Sequence, residues 1–184
     1  MFLAVALALA SVPDTLAPRT DEIWAYADAR VSRQIDRWFQ DGDFPRAVGL
    51  LRFQAAYSPT DYDVATNLGW LLQSMERDDD ALAAYAEYRR ENPDDVDNRL
   101  PEAMLYNVRR KWDKVVEVLA PAVAGATKTR APHPNVYRLL AKSYERLEKY
   151  DDAIRIWELQ LKQYPGDLPA RANIARVKAK MKAR

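Results

Sequence analysis

The sequence predicts an all-α fold in which helix-turn-helix repeats stack side by side. Three observations support this prediction. A small residue recurs at a fixed spacing, a proline follows it at a constant distance, and apolar residues recur three and four positions apart along most of the chain. In such an array each repeat buries its apolar side only against its neighbours, so successive repeats share one continuous core.

The spacing of the small residues defines the repeat. Ala47, Ala81 and Val115 follow one another at equal intervals of thirty-four, and Ala153 follows after a slightly longer interval of thirty-eight. The four additional residues fall in the stretch 124–135, where proline and glycine cluster. Prolines that follow the recurring position by twelve residues are expected to end the second helix of a repeat: Pro59, Pro93 and Pro165.

The best-preserved repeats carry further aligned positions. The second contains Asn67-Leu68-Gly69, Leu72, Ala81, Tyr85 and Pro93, and the fourth contains Tyr137, Leu140-Ala141, Tyr144, Tyr150, Ala153, Trp157 and Pro165. This pattern resembles the tetratricopeptide repeat family, and it covers four repeats at about residues 28–61, 62–95, 96–133 and 134–167. The third repeat lacks the terminal proline, and the first helix of the first repeat fits poorly at Gln34 and Ile35. The resemblance implies a right-handed α-solenoid over residues 21–167.

Small residues are expected where the two helices of a repeat cross, because they let the backbones approach closely: Gly69, Ala103, Ala141, Ala47, Ala81 and Ala153. Side-chain oxygens of Asp61, Asp94 and Asn135 are expected to cap the first helices of the following repeats. Residues 168–184 are predicted to form a basic C-terminal helix that caps the open end of the array. A basic arm for nucleic acid or anionic lipid is the alternative for this segment.

The N-terminal segment differs in character from the repeats. Residues 1–10 are almost entirely apolar and end in Ala8-Leu9-Ala10, a small-x-small pattern that predicts a secretory signal peptide, although no Lys or Arg precedes the apolar run. The run is shorter than the about 20 residues that span a bilayer, so no stable membrane span is expected after its removal. An uncleaved short anchor and an apolar tail docked on the domain are the alternatives. Residues 11–20, with Pro13 and Pro18, are predicted to form a linker.

Composition argues against catalytic chemistry. The 184 residues contain no cysteine and a single histidine, His133, which lies between two prolines and is typical of a solvated turn. No phosphate-binding loop, paired-histidine motif or nucleophile elbow is present in the sequence. We therefore expect neither an enzyme nor a bound cofactor or metal.

The family resemblance implies a concave groove lined by the first helices of successive repeats. Helical register assigns thirteen residues to this surface: Asp36, Phe39, Asp63, Thr66, Trp70, Gln73, Leu100, Met104, Asn107, Arg138, Lys142, Arg146 and Arg176. The hypothesis is a groove with an aromatic middle and a cationic end that binds a peptide with apolar anchors and acidic residues. In the alternative, Trp70 and Met104 pack between adjacent helices, which is favoured for Met104, and the cations pair with nearby acids.

Two classes of function fit these patterns. The first is a protein-interaction scaffold that, if exported to the periplasm or cell surface, helps to assemble an envelope complex. The second is a self-assembling module, because residues 1–100 carry ten Lys/Arg against eighteen Asp/Glu whereas residues 101–184 carry eighteen against nine. Head-to-tail contacts between such halves form rings or filaments. A nucleic-acid partner is not expected.

Overall fold

The computed structural model describes residues 17–127 and 129–182. Within these residues the chain forms nine helices and no strand, which confirms the all-α prediction. The helices are α1 (Ala17–Gln40), α2 (Phe44–Tyr57), α3 (Tyr62–Ser74), α4 (Asp78–Glu91), α5 (Leu100–Val108), α6 (Trp112–Ala124), α7 (Pro134–Arg146), α8 (Tyr150–Gln163) and α9 (Leu168–Lys182). The signal peptide predicted for residues 1–10 lies outside the described residues.

Part of the segment predicted to be a linker is helical. Residues 17–20, assigned to a linker from their sequence, belong to α1. A proline such as Pro18 is compatible with the first turn of a helix, where its missing N–H has no intrahelical partner in any case.

Helix packing follows the order of the chain from α3 onward. Within repeats, α3 packs on α4, α5 on α6 and α7 on α8. Between repeats, α4 contacts α5, α6 contacts α7, and α5 contacts both α3 and α7. The first helices of the second, third and fourth repeats are therefore neighbours, as in an α-solenoid.

The turn within each repeat contains one residue in the left-handed region of the backbone. These residues have φ between 58° and 74°: Gly42, Glu76, Arg110 and Glu148. Only the first is a glycine, the residue that adopts this conformation without a steric penalty. Their intervals along the chain are the same as those of the small residues from Ala47 to Ala153, so the backbone alone confirms the repeat spacing.

Proline ends the second helices as predicted. The helices α2, α4 and α8 end two residues before Pro59, Pro93 and Pro165, respectively. The third repeat has no proline at this position, and its second helix instead contains Pro121 in its final turn before it ends at Ala124.

One of the three predicted caps is correct. Asp61 accepts hydrogen bonds from the backbone N–H groups of Asp63 and Val64, at 2.9 and 3.1 Å, and so begins α3. Asp94 instead pairs with Arg130. Asn135 lies inside α7, which is capped by His133, whose Nδ1 accepts the N–H of Asn135 at 3.2 Å. Pro134 at the first helical position sets this start two residues earlier than the sequence suggested.

Small residues lie at the helix crossings as predicted. Ala47, Ala81, Ala103, Ala141 and Ala153 are fully buried. Gly69 on α3 lies directly against the ring of Tyr85 on α4, where a Cβ atom would overlap the ring. The largest fully buried side chains, Trp157 and Tyr137, fill the fourth repeat.

The chain divides into two compact units, and the boundary falls between Leu50 and Leu51 inside α2. In the first unit, the rings of Phe39 and Phe44 pack at 5.6 Å between centroids, across the turn that contains Gly42. The second unit contains α3 to α9 and the last turns of α2. Its core joins α5, α6, α7 and α8 in one cluster around Leu119, Leu140 and Trp157.

Candidate interaction face on the first helices

The exposed side of α3 carries the predicted tryptophan. Apolar side chains on the opposite side of the helix are buried, among them Val64, Leu68 and Leu72. Trp70 lies about 180° from this buried side at 100° per residue and is 50% exposed. Trp70 therefore belongs to the surface and not to the core. On the same side Asp63 is exposed, and Thr66 and Gln73 are half-buried.

Met104 on α5 is 54% exposed, although its sequence context favoured the core. Val108, one turn further along, is 56% exposed and was missed by the sequence reasoning. Asn107 is half-buried beside them. The helix thus presents two adjacent apolar side chains to solvent.

The assignment of Leu100 to the groove is wrong. Leu100 is only 7% exposed and belongs to the core cluster with Ala103, Val136 and Tyr137. Its repeat position is shared by Thr66 and Arg138, which are both half-buried. This position points toward the neighbouring repeat, so an aliphatic side chain there packs inward.

The cations of α7 divide into two kinds. Arg138 is half-buried and fixed by neighbours in the protein, because its Nη2 donates to Asp167 at 2.8 Å and its Nη1 donates to Asn135 at 3.3 Å. Lys142 and Arg146 are exposed, and neither forms an ion pair with an acid among the described residues. The guanidinium of Arg146 lies 5.9 Å from the centre of the Trp112 ring, which positions its charge without neutralising it.

Asp167 is the partner of Arg138 within the protein. Burial alone would raise the pKa of the Asp167 carboxyl, but hydrogen bonds from the Ala170 N–H and from the side chains of Arg138 and Gln160 lower it below its usual value. The carboxylate is only 7% exposed. Arg138 is therefore the counter-charge of a buried carboxylate at the start of α9, and its prediction as a groove residue needs this correction.

Arg176 has a similar structural role. Its two terminal nitrogens donate to the two carboxylate oxygens of Glu145, each at 2.8 Å. This bidentate pair joins α9 to α7. It also neutralises the one acid on α7, so the charge of Lys142 and Arg146 is not cancelled on their own helix.

Two positions of the repeat define the exposed surface of the first helices. Trp70, Met104 and Lys142 occupy one position, since they recur at the repeat spacing, and all three are exposed. Ser74, Val108 and Arg146 occupy the other and are also exposed. We call these six residues the A-helix face. Along α3, α5 and α7 its chemistry changes from aromatic to aliphatic to cationic.

Phe39 and Asp36, the predicted groove residues of the first repeat, lie on α1 in the other compact unit. Phe39 is 41% exposed and Asp36 is exposed. Each unit therefore presents an exposed aromatic side chain on a first helix.

Among the described residues, no three His, Asp or Glu side chains converge in a way that would hold a metal ion. No helix in the described part of the chain is long and apolar enough to cross a membrane. The A-helix face instead offers apolar area and two cations on rigid helices, which is the chemistry of a binding surface.

Two family models described as tetratricopeptide repeat match the chain, one at residues 39–100 and one at residues 134–177. Together the two matches span more than half of the sequence. No curated protein matches.

Similar solved structures include a crystal structure of MamA, with a TM-score of 0.60, 17% identity, and coverage of 80% of this chain and 84% of that one. TTC0263, a thermophilic TPR protein of Thermus thermophilus, has a TM-score of 0.57 and 20% identity, with coverage of 79% of this chain and 78% of that one. MamA 41-end from Desulfovibrio magneticus has a TM-score of 0.59 and 14% identity, with coverage of 84% of this chain and 85% of that one.

Proposed function

Because this chain belongs to the tetratricopeptide-repeat family, we propose that it is a non-catalytic scaffold that binds a peptide segment of a partner protein along the A-helix face. The observation that carries the proposal is the exposure of one repeat position in three consecutive repeats. Trp70 and Met104 are about half exposed, and Lys142 is exposed. A large aromatic ring and a long aliphatic side chain left in solvent at equivalent positions are typical anchors of an interface.

The order of the side chains specifies the chemistry of the partner segment. Packed helices lie about 8–10 Å apart, and an extended peptide advances about 3.3 Å per residue. Apolar side chains spaced about three residues apart therefore contact Trp70 and then Met104 with Val108. An acidic residue about three positions further along meets Lys142 and Arg146. The predicted ligand is a short extended segment with two apolar anchors followed by Asp or Glu.

This proposal is tested with a synthetic library of extended peptides. The library contains an apolar residue at two positions three apart and either Glu, Lys or Ser three positions later. The full chain is expected to select the Glu peptides, and fluorescence polarisation of a selected peptide gives the affinity. Trp70→Ala is expected to weaken binding about tenfold or more without lowering the melting temperature, because the ring is half exposed.

Phe53→Ala provides the matched control. Phe53 is a 57% exposed aromatic residue on α2 and is not one of the residues of the A-helix face, so its removal should leave peptide affinity unchanged. The double variant Lys142→Glu/Arg146→Glu is expected to shift the preference from Glu peptides to Lys peptides. The proposal is wrong if Phe53→Ala weakens binding as much as Trp70→Ala, or if the charge reversal leaves the preference for Glu unchanged.

The setting proposed for this scaffold is an envelope-associated complex outside the cytoplasm. The support is the apolar run of residues 1–10 and its small-x-small ending before Ser11. Mass spectrometry of the protein from its native cell provides the test, and the expected mature N-terminus is Ser11. An intact Met1 would remove the support for export but would leave the peptide-binding proposal untouched.

A further inference from the structure

A second surface lies between α2 and α4, apart from the A-helix face. It is a cleft of about 630 Å³, which is within the volume range of protein ligand pockets. Its floor contains Leu68 and Leu72 of α3, and small side chains form its walls: Ala55, Ala56, Ala83 and Ala84. We call this surface the α2–α4 cleft. Walls of alanine leave room for the side chains of another helix to approach the backbone.

The rim of the α2–α4 cleft is acidic. It carries Asp61 and three carboxylates of α4, Asp80, Glu87 and Glu91, against one cation, Arg52. Glu87 and Glu91 share Arg90 at 3.6 and 3.1 Å in pairs that are largely exposed. Exposed pairs of this kind are worth little, so these two carboxylates can exchange Arg90 for a cation of a binding partner. Asp80 is held more closely, at 2.7 Å from Arg77.

The last helix presents a complementary surface. Ala170 and Val177 bury one side of α9 against the rest of the protein. The opposite side carries a stripe of apolar residues that are all exposed: Leu168, Ala172, Ala175 and Ala179. We call this surface the α9 stripe. Leu168 is 70% exposed, the highest value among the large apolar side chains of the described residues. The outer side of α9 is thus apolar along its centre. A helix side that only faces water has no need of such an apolar stripe.

Cations flank the α9 stripe with the spacing of the acids on α4. At 100° per residue, Arg171, Lys178 and Lys182 lie along one edge of the stripe, at intervals of seven and four residues. The carboxylates of α4 at positions 80, 87 and 91 have the same intervals of seven and four. Two helices in parallel alignment therefore place three opposite charges side by side. Both segments are about 16 Å long at 1.5 Å per residue.

One of these three cations, Lys178, forms a weak ion pair within its own chain. Lys178 lies 3.6 Å from Glu158, and both side chains are more than half exposed. A pair of this kind contributes little to stability, so Lys178 can leave Glu158 for a carboxylate of a binding partner, as Glu87 and Glu91 can leave Arg90.

We infer that the α2–α4 cleft binds the α9 stripe of a second copy of this chain. Leu168 and the alanines of the stripe enter between the alanine walls, and α9 lies parallel to α4 with Lys178 beside Glu87 and Lys182 beside Glu91. The contact joins different surfaces of the two copies, so the copy that supplies the cleft keeps a free stripe and the copy that supplies the stripe keeps a free cleft. Such head-to-tail contacts propagate into a ring or a filament.

The test compares charge reversals on the two surfaces of the full chain by sedimentation velocity over a range of protein concentrations. Glu87→Lys/Glu91→Lys is expected to raise the concentration needed for association about tenfold or more, and Lys178→Glu/Lys182→Glu is expected to do the same. The quadruple variant, which combines all four of these substitutions, restores opposite charges between cleft and stripe. The concentration it needs for association should therefore return to within about threefold of that of the original chain. Ala175→Trp, which adds bulk without charge on an exposed position, should also abolish association.

Matched controls make the same change in net charge elsewhere. Glu22→Lys/Glu117→Lys and Lys149→Glu/Lys162→Glu alter exposed residues outside both surfaces and should associate like the original chain. The inference is overturned if the quadruple variant fails to recover association, or if the control variants weaken association as much as the reversals on the cleft and the stripe. It is also overturned if the original chain remains monomeric at about 100 µM. Association through the apolar N-terminal residues would be insensitive to all four reversals and would also overturn it.

Discussion

Replacing Gly69 with alanine would place a methyl group where the ring of Tyr85 now lies. Gly69 is on α3, and its missing side chain lets the ring atoms Cε1 and Cζ of Tyr85 on α4 approach the backbone closely. Tyr85 is only 5% exposed, and burial raises the pKa of its hydroxyl to about 12. The ring is therefore enclosed by protein, so an added methyl group has to displace packed atoms.

Two opposing effects set the magnitude of this change. Alanine is favoured over glycine inside a helix by about 1 kcal/mol, whereas overpacking a well-packed core costs about 1–3 kcal/mol. We expect a net destabilisation of up to about 2 kcal/mol for Gly69→Ala. Gly49 on α2 provides the control, because a Cβ atom there meets no neighbour within 4 Å. Gly49→Ala should therefore stabilise the protein by up to about 1 kcal/mol.

Urea denaturation followed by circular dichroism at the helical band measures both changes as shifts in the midpoint concentration. A third variant isolates the cause. In a Tyr85→Leu background, which removes the ring, Gly69→Ala should no longer destabilise the protein relative to that background. Equal stabilisation by Gly69→Ala and Gly49→Ala would refute the reasoning, and so would a Gly69→Ala penalty that persists without the ring.

Three further changes test other parts of the structure. Leu100→Ala should lower the free energy of unfolding by about 2–4 kcal/mol in urea titrations, because Leu100 lies in the core and not on the A-helix face. Asp167→Asn should destabilise the protein at pH 7, and this penalty should shrink as the pH falls through the lowered folded-state pKa of Asp167, because a carboxyl with a lowered pKa stabilises the fold only while it is ionised; urea titrations at a series of pH values from 7 downward check this. Arg110→Gly relieves a positive φ of 58° and should raise the free energy of unfolding by up to about 1 kcal/mol, which a rise in the melting temperature would show.

The repeat architecture was predictable because it depends on spacing. The recurring alanines and prolines fix where helices cross and end, and both features appear at the expected residues. The exposure of Trp70 could also be predicted from the sequence. Val64, Leu68 and Leu72 mark the buried side of α3, and Trp70 lies on the opposite side of the helix. The phase of this helix alone was therefore sufficient to decide between surface and core for Trp70.

The exposure of Met104 was beyond such reasoning. Helix α5 is short and apolar nearly all round, with only Glu102 and Asn107 to mark a polar side, so its phase is ambiguous. Leu100 and Met104 are one turn apart, yet the first is buried and the second is exposed. The difference comes from the neighbouring repeat that covers the start of α5, which is a tertiary effect.

The pairing of the cations was hidden for a different reason. Register places Arg138, Lys142 and Arg146 on one side of α7, but it does not show that Asp167, which lies immediately before α9, binds the first of them. Likewise, the net charges of the two halves suggested self-association without identifying a surface. Only the fold shows that acids on α4 border a cleft and that cations on α9 border a stripe of the same length.

The two proposed surfaces do not compete, because they use opposite sides of one helix. Leu68 and Leu72 of α3 form the floor of the α2–α4 cleft, whereas Trp70 lies about 180° away on the A-helix face. A head-to-tail assembly would therefore leave every A-helix face open and would repeat it along the assembly. A single peptide would bind the assembly and the isolated chain with equal affinity, since no contact in the face changes. A partner that carries several copies of the segment would bind the assembly more tightly by factors of about 10²–10⁴, because later contacts form at high effective concentration.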